Sequence, residues 1–170
     1  EGSGEVVAIG GGVSKVSPGD SVILGWIKSK GKNVSGAKYQ LGERVINSGQ
    51  VTTFSTYSIV SENRVVPLPP GLPKDIAVLF GCALPTGAGI ILNEIKPEQG
   101  SSIVFVGLGG IGLSALMICR IFKCEPVIAI DISQDKLDLA KKFGATHLIN
   151  PKDTDPINEI IDLTDGLGVD

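Results

Sequence analysis

Ser102-Ile103-Val104-Phe105-Val106-Gly107-Leu108-Gly109-Gly110-Ile111-Gly112 is the stretch whose reading decides the architecture. Residues 102–106 form a short apolar run bounded by glycine, the pattern of a strand buried on both faces of a parallel sheet. Gly107, Leu108, Gly109, Gly110, Ile111 and Gly112 then fit G-x-G-x-x-G, and Leu113, Leu116, Met117 and Ile121 follow at the spacing of an amphipathic helix. A glycine loop between such a strand and such a helix is the context that raises the motif above chance. Gly107 permits the sharp turn, Gly109 lets the backbone approach a pyrophosphate, and Gly112 allows helix and strand to pack closely. The N–H groups and positive dipole end of the helix then hold the anion without needing a lysine.

Downstream, the alternation continues. Residues 127–130 predict a second buried strand, Ser133 an N-cap, and Leu139, Ala140 and Phe143 the inner face of a helix ending at Gly144. Residues 147–149 predict a third strand, and Asp155-Pro156 a capped helix start followed by Ile157, Ile160 and Ile161 at helical spacing. This order implies a parallel sheet with right-handed crossovers. Nineteen positions after Gly112, Asp131 falls at the end of the second strand. A carboxylate there can accept hydrogen bonds from both hydroxyls of an adenosine ribose. It would repel a 2′-phosphate, and no arginine follows closely, so the expectation is NAD rather than NADP. The plainer alternative is that the glycines only shape a turn or serve another adenosine ligand.

Upstream, the chain reads as β and irregular structure. Strands are expected at residues 5–9, 21–24, 53–60 and 65–68, with a turn at Pro18-Gly19-Asp20. Residues 28–47 are polar, lysine-rich and non-periodic, and predict a long surface loop. Four prolines within residues 67–73 predict a stiff boundary, and from Asp75 the pattern is helical. Three regions follow: a β-rich part over 1–72, a helical segment over 73–100, and the start of a doubly wound sheet over 101–170.

Composition excludes several classes. At 42% hydrophobic and 19% charged, the chain is neither disordered nor collagen-like. Its formal charge of −3, with no basic block, argues against nucleic acid as a partner. Three irregularly spaced cysteines make neither a disulfide framework nor a zinc-finger pattern, which suits a reducing, cytoplasmic setting. No apolar stretch approaches the roughly 20 residues of a membrane span, and no signal-peptide pattern is present.

In this order, the motifs resemble the zinc-containing alcohol dehydrogenases of the medium-chain dehydrogenase/reductase superfamily. The resemblance runs along nearly the whole chain. It rests on Glu1-Gly2-Ser3-Gly4-Glu5 through Gly10, Pro18-Gly19-Asp20 with Val22, and Val66-Pro67-Leu68-Pro69. Gly81-Cys82-Ala83-Leu84-Pro85-Thr86-Gly87, the glycine loop and Asp131 to Lys136 complete it. The implied fold is α/β: part of a GroES-like β-rich catalytic domain, then the first half of a Rossmann sheet. The implied metal is a catalytic zinc held by two cysteines and a histidine, a site type for which alcohol dehydrogenase is the reference example. Cys82 matches the later cysteine ligand, whereas the family's histidine and first cysteine lie upstream of Glu1. Thr86 matches a position contacting the nicotinamide, Ile111 one packing near the ring, and Lys136 a lysine near the ribose. Without the resemblance, Cys82 would read as a small buried residue and Lys136 as an exposed helix lysine.

Other residues read more plainly. Cys119 is expected in the core, Cys124 as a free thiol in a turn, and His147 as a surface or packing residue. Trp26 reads equally as core or as a cleft residue. Many family members carry four closely spaced cysteines between the Gly25 and Phe54 regions; none occurs here, so no structural zinc is expected.

The activity implied is hydride transfer between an alcohol, or its aldehyde or ketone, and NAD, with zinc polarising the substrate oxygen. A homo-oligomer is expected by family analogy. The alternatives are a zinc-independent quinone or enoyl reductase of the same superfamily, a non-catalytic dinucleotide-binding module and, more remotely, a methyltransferase-like adenosine binder. Both ends look cut, so a fragment is expected that is inactive alone, with residues 102–106 at an open sheet edge and poor solubility in isolation.

Overall fold

A computed structural model describes the whole chain, Glu1–Asp170. It divides into two units, Glu1–Cys82 and Ala83–Asp170. In the first, β1 (Gly2–Glu5), β2 (Ser21–Leu24) and β5 (Val65–Pro67) form an antiparallel sheet in the order β1-β2-β5, and β3 (Lys38–Leu41) pairs with β4 (Arg44–Asn47) in a separate hairpin. A small core gathers Val16, Val22 and Val65, with Val6, Val13, Leu24 and Val60 packed against it.

Three sequence expectations shift in this unit. The first strand is Gly2–Glu5 rather than residues 5–9, with Gly4 opposite Val22. The reason is the turn at Gly19 (φ 94°): it sets the register so that Val6 makes the last bonds, to Asp20 and Gly19, before the chain leaves the ladder. Residues 53–60 are irregular rather than a strand. Their hydroxyls bond locally, Ser55 Oγ to Tyr57 O at 2.8 Å and Ser58 Oγ to Thr52 O, offering the backbone an alternative to a ladder. Residues 28–47 are not all loop, because β3 and β4 turn about Gly42-Glu43. Gly42 supplies the positive φ (61°) that a two-residue hairpin turn demands.

A buried 3-10 turn, Glu62–Arg64, organises the loops of this unit. Glu62 Oε1 accepts from the N–H groups of Ser14 (2.7 Å) and Lys15 (2.9 Å), and Oε2 from that of Lys32 (2.8 Å). Ser61 Oγ exchanges bonds of 3.0 Å with both the N–H and the carbonyl of Val34. Trp26 is not core: it is 61% exposed, with the Arg64 guanidinium 5.0 Å from its ring centroid.

In the second unit, α1 (Lys74–Ala77) having closed the first, α2 (Ala83–Gly89) runs into a π-helical turn over Ile90–Ile95 and ends at left-handed Lys96. There follow β6 (Ile103–Val106), α3 (Gly110–Cys119), β7 (Val127–Ile130), α4 (Gln134–Phe143), β8 (His147–Ile149) and α5 (Pro156–Leu163). The sheet is parallel in the order β6-β7-β8, so β6 lies at an edge, as expected. Every residue of β7 is buried because both faces are covered. Val127 and Ala129 join Ile103, Phe105, Leu116 and Leu137 on one face; Ile128 and Ile130 join Ile149 on the other, with Ile160 and Leu163 of α5 packed against them. Gly144 (φ 112°) ends α4, and Asp155 Oδ1 caps α5 by accepting from Ile157 N at 3.0 Å.

The helix faces differ in detail from the spacing argument. In α3 the buried residues are Ser114, Ala115, Leu116 and Cys119, whereas Met117 and, beyond the helix, Ile121 face outward. The helix is apolar on nearly all sides, so spacing alone does not select its inner face. In α4, Leu137 and Ala140 are buried and Leu139 is exposed. No single helix is long and apolar enough to cross a membrane.

Candidate cofactor site

The site is built on the junction of β6, α3 and β7. Gly107 leaves β6 at φ 90°, a left-handed conformation that glycine adopts without penalty. Gly109 is the N-cap of α3, and a Cβ placed on it would meet no protein atom within 4 Å. The loop therefore leaves open space at the position where a pyrophosphate would approach. Gly112 is different: a Cβ there would lie 2.0 Å from the Gly107 carbonyl oxygen, so its lack of a side chain is required by loop-to-helix packing. Leu108 is fully buried and anchors the loop in the core.

Asp131 follows directly on β7 and is 8% exposed. Its Oδ2 accepts from the backbone N–H of Leu108 at 2.8 Å, and its Oδ1 from that of Ser133 at 2.9 Å. Lys136 Nζ stands 3.6 Å from Oδ2. The Leu108 N–H, with help from those of Ser133 and the Lys136 charge, holds the carboxyl below its ordinary range despite burial, which pushes the other way. Asp131 is thus ionised at neutral pH. Each carboxylate oxygen carries two acceptor positions, so both retain capacity for a ribose hydroxyl. Ser133 occupies the N-cap of α4, but its side chain makes no capping bond; its N–H is given to Asp131 instead.

Residues 107–112, Asp131 and Lys136 are therefore brought together at one end of the parallel sheet. Ile111 is exposed on the first turn of α3. Thr86 is half-buried on α2, which packs against α3 through two residues that sequence reasoning did not single out for this role. A Cβ on Gly87 would come 2.3 Å from both Ile111 O and Ser114 Oγ, and Ser114 Oγ donates toward Gly110 O (2.6 Å), Ile111 O (2.9 Å) or Ala83 O (3.2 Å). Ser114, the one hydroxyl side chain of α3, was the available signal. Cys82 is half-buried between the 3-10 turn Val78–Gly81 and α2. Cys124, expected as a turn thiol, is buried beside Cys119. His147 lies on β8 with Nδ1 2.9 Å from Thr146 Oγ1.

The fit to the two implied groups differs. The open glycine, helix N-terminus and ionised acid suit a dinucleotide. No group of three or more His, Cys, Asp or Glu residues is arranged to hold a metal, so these residues do not themselves make a zinc site. A hollow of about 390 Å³, bordered by Val6, Ile9, Thr53 and Tyr57, is lined by residues of the first unit.

Comparison with known proteins agrees with this architecture. Residues 1–70 match the alcohol dehydrogenase GroES-like domain, and residues 110–170 the zinc-binding dehydrogenase family. Benzyl alcohol dehydrogenase from Acinetobacter calcoaceticus is 34% identical, with a TM-score of 0.80 over 97% of this chain and 51% of its own. An alcohol dehydrogenase zinc-binding domain protein from Burkholderia ambifaria is 30% identical, with a TM-score of 0.78 over 99% and 52%. The alcohol dehydrogenase from Aeropyrum pernix, at 24% identity and a TM-score of 0.75, shares the fold. The chain spans about half the length of these proteins. Its fold is α/β, a GroES-like antiparallel region followed by a Rossmann-like parallel sheet. Both matched segments stand in the order found in one family, and the chain belongs to the zinc-binding alcohol dehydrogenases.

Proposed function

We propose that this chain carries the dinucleotide-binding loop of an oxidoreductase that moves hydride between a small alcohol, or its aldehyde or ketone, and NAD. The observation that carries the reading is the buried, ionised Asp131 bonded to the glycine loop itself. Gly109 leaves room for the pyrophosphate, the N–H groups at the start of α3 bind it, and Asp131 accepts the ribose hydroxyls and disfavours a 2′-phosphate. Lys136 lies within reach of the same ribose edge. Thr86 and Ile111 are the residues assigned to the nicotinamide end. When bound, NAD supplies the hydride acceptor.

Cys82 is assigned as one thiolate ligand of a catalytic zinc whose other donors are not among these residues. No chemical step is derived through that metal. A cytoplasmic homo-oligomer without a structural zinc is part of the same proposal.

Calorimetric titration with NAD and NADP, paired with metal analysis of wild type and Cys82→Ser in a polypeptide that also carries the remaining zinc donors, tests both assignments. NAD should bind at least about tenfold more tightly than NADP, a difference of about 1.4 kcal/mol, and Cys82→Ser should lower zinc content. Equal affinity for NAD and NADP, or zinc unchanged by the substitution, would overturn the respective assignment.

A further inference from the structure

Outside the cofactor loop, the second unit holds a pair of thiols that the proposed function leaves unused. Cys119 ends α3 and Cys124 precedes β7, and their Sγ atoms lie 3.6 Å apart. The chain between them folds back in consecutive tight turns: Phe122 N bonds Cys119 O at 3.0 Å, Lys123 N bonds Arg120 O at 3.4 Å, and Lys123 adopts a left-handed φ of 53°. That reversal, rather than chance proximity, aims the two sulfurs at each other. Cys119 is 1% exposed and Cys124 is 7% exposed, both in the main core cluster.

We infer that Cys119 and Cys124 form a reversible redox dithiol, closing to an intrachain disulfide on reaction with a hydroperoxide. Cys124, nearer the surface, is the entry point. Its sulfur attacks the peroxide's outer oxygen, the O–O bond breaks, and an alcohol or water leaves as Cys124 becomes a sulfenic acid. Cys119 sulfur then attacks the Cys124 sulfur, forming the S–S bond and expelling water. A small dithiol reverses the change by exchange. Burial and the neighbouring Cys124 thiol push Cys119 up to about 12, so it waits as the resolving thiol and does not react first. The closed bond would fasten the far end of the cofactor-loop helix to the strand that carries Asp131.

The test treats the purified protein with a few equivalents of hydrogen peroxide, quenches, denatures and alkylates. Of the three cysteines, one should remain alkylatable, with a mass loss of two hydrogens, a Cys119–Cys124 linked peptide, and recovery of all three thiols with a dithiol reductant. Cys124→Ser should abolish the linkage, and Cys119→Ser should leave Cys124 as a trappable sulfenic acid. Should either variant fail to fold, phenylarsine oxide on the wild type decides: one arsenical bridging Cys119 and Cys124 supports the dithiol. Persistence of three thiols, oxidation of Cys82 alone, or overoxidation of Cys124 without a link would overturn it.

Discussion

The backbone N–H of Leu108 donates to Asp131 Oδ2 at 2.8 Å, so the glycine loop and the acid that follows β7 are one hydrogen-bonded unit. Ser133 N–H occupies the other carboxylate oxygen at 2.9 Å. The acid is therefore placed to serve the loop's conformation and, in the proposed function, the ribose as well.

Asp131→Asn separates those roles from simple packing. An amide has one acceptor oxygen, so either Leu108 N–H or Ser133 N–H must face an NH₂ group. An unsatisfied buried donor costs about 1–3 kcal/mol, and the thermal midpoint should fall accordingly. NAD affinity should drop about 10- to 100-fold, with discrimination against NADP reduced. Calorimetry with both nucleotides checks this; unchanged NAD affinity beside lowered stability would confine Asp131 to holding the loop.

Two alanine substitutions in the loop should behave oppositely. Gly109→Ala meets no protein atom within 4 Å. Its cost to folding should stay below about 1 kcal/mol, the scale of a weakened cap, while NAD binding falls more than tenfold because the new methyl occupies the pyrophosphate's approach. Gly112→Ala drives a methyl to 2.0 Å from Gly107 O, against backbone that cannot rotate away. It should destabilise by about 3 kcal/mol or more. Paired melts and titrations would show it if both variants lost stability equally, which is not expected.

Lys136 is half exposed, at 49%, with its Nζ 3.6 Å from Asp131. Solvent-exposed pairs contribute about 0–1 kcal/mol. Lys136→Ala should change NAD affinity less than about fivefold, far less than Asp131→Asn. A larger loss would mean the lysine contacts the cofactor directly.

What the sequence made legible was local. The apolar run of β7, the glycines at 107 and 144, and Asp155-Pro156 each specify their structure through nearest neighbours. The β3–β4 hairpin was missed because its residues are exposed and only Gly42 marks the turn. Residues 53–60 misled because β-branched and aromatic side chains suggest a strand, while their hydroxyl groups closed on nearby backbone. The bond from Leu108 to Asp131 spans 23 positions, and Glu62 reaches 48 positions to Ser14. Such pairings depend on the tertiary path of the chain, which periodicity does not encode. Ser114 and the packing role of Gly87 are not legible for the same reason: that role exists only where α2 and α3 meet.

Glu62 makes the first unit acid-sensitive in a defined window. The N–H groups of Lys32, Ser14 and Lys15 hold its carboxyl down to about 2 from an ordinary 4.5. The unfolded chain takes up a proton near the ordinary value, whereas the folded chain resists until near 2. The carboxylate's stabilisation is therefore complete above about pH 4.5 and lost as pH falls toward 2. Asp131, held low chiefly by Leu108 N–H, adds in the same direction. Glu62→Gln removes the charge but keeps the shape and one acceptor oxygen, so Ser14, Lys15 and Lys32 lose their shared anion. The wild type should melt higher than the variant at pH 7, and the gap should narrow steadily from pH 4.5 to pH 2.5. Thermal melts of both proteins across that range measure the gap; a gap independent of pH would show that the ionisation of Glu62 is not what stabilises the unit.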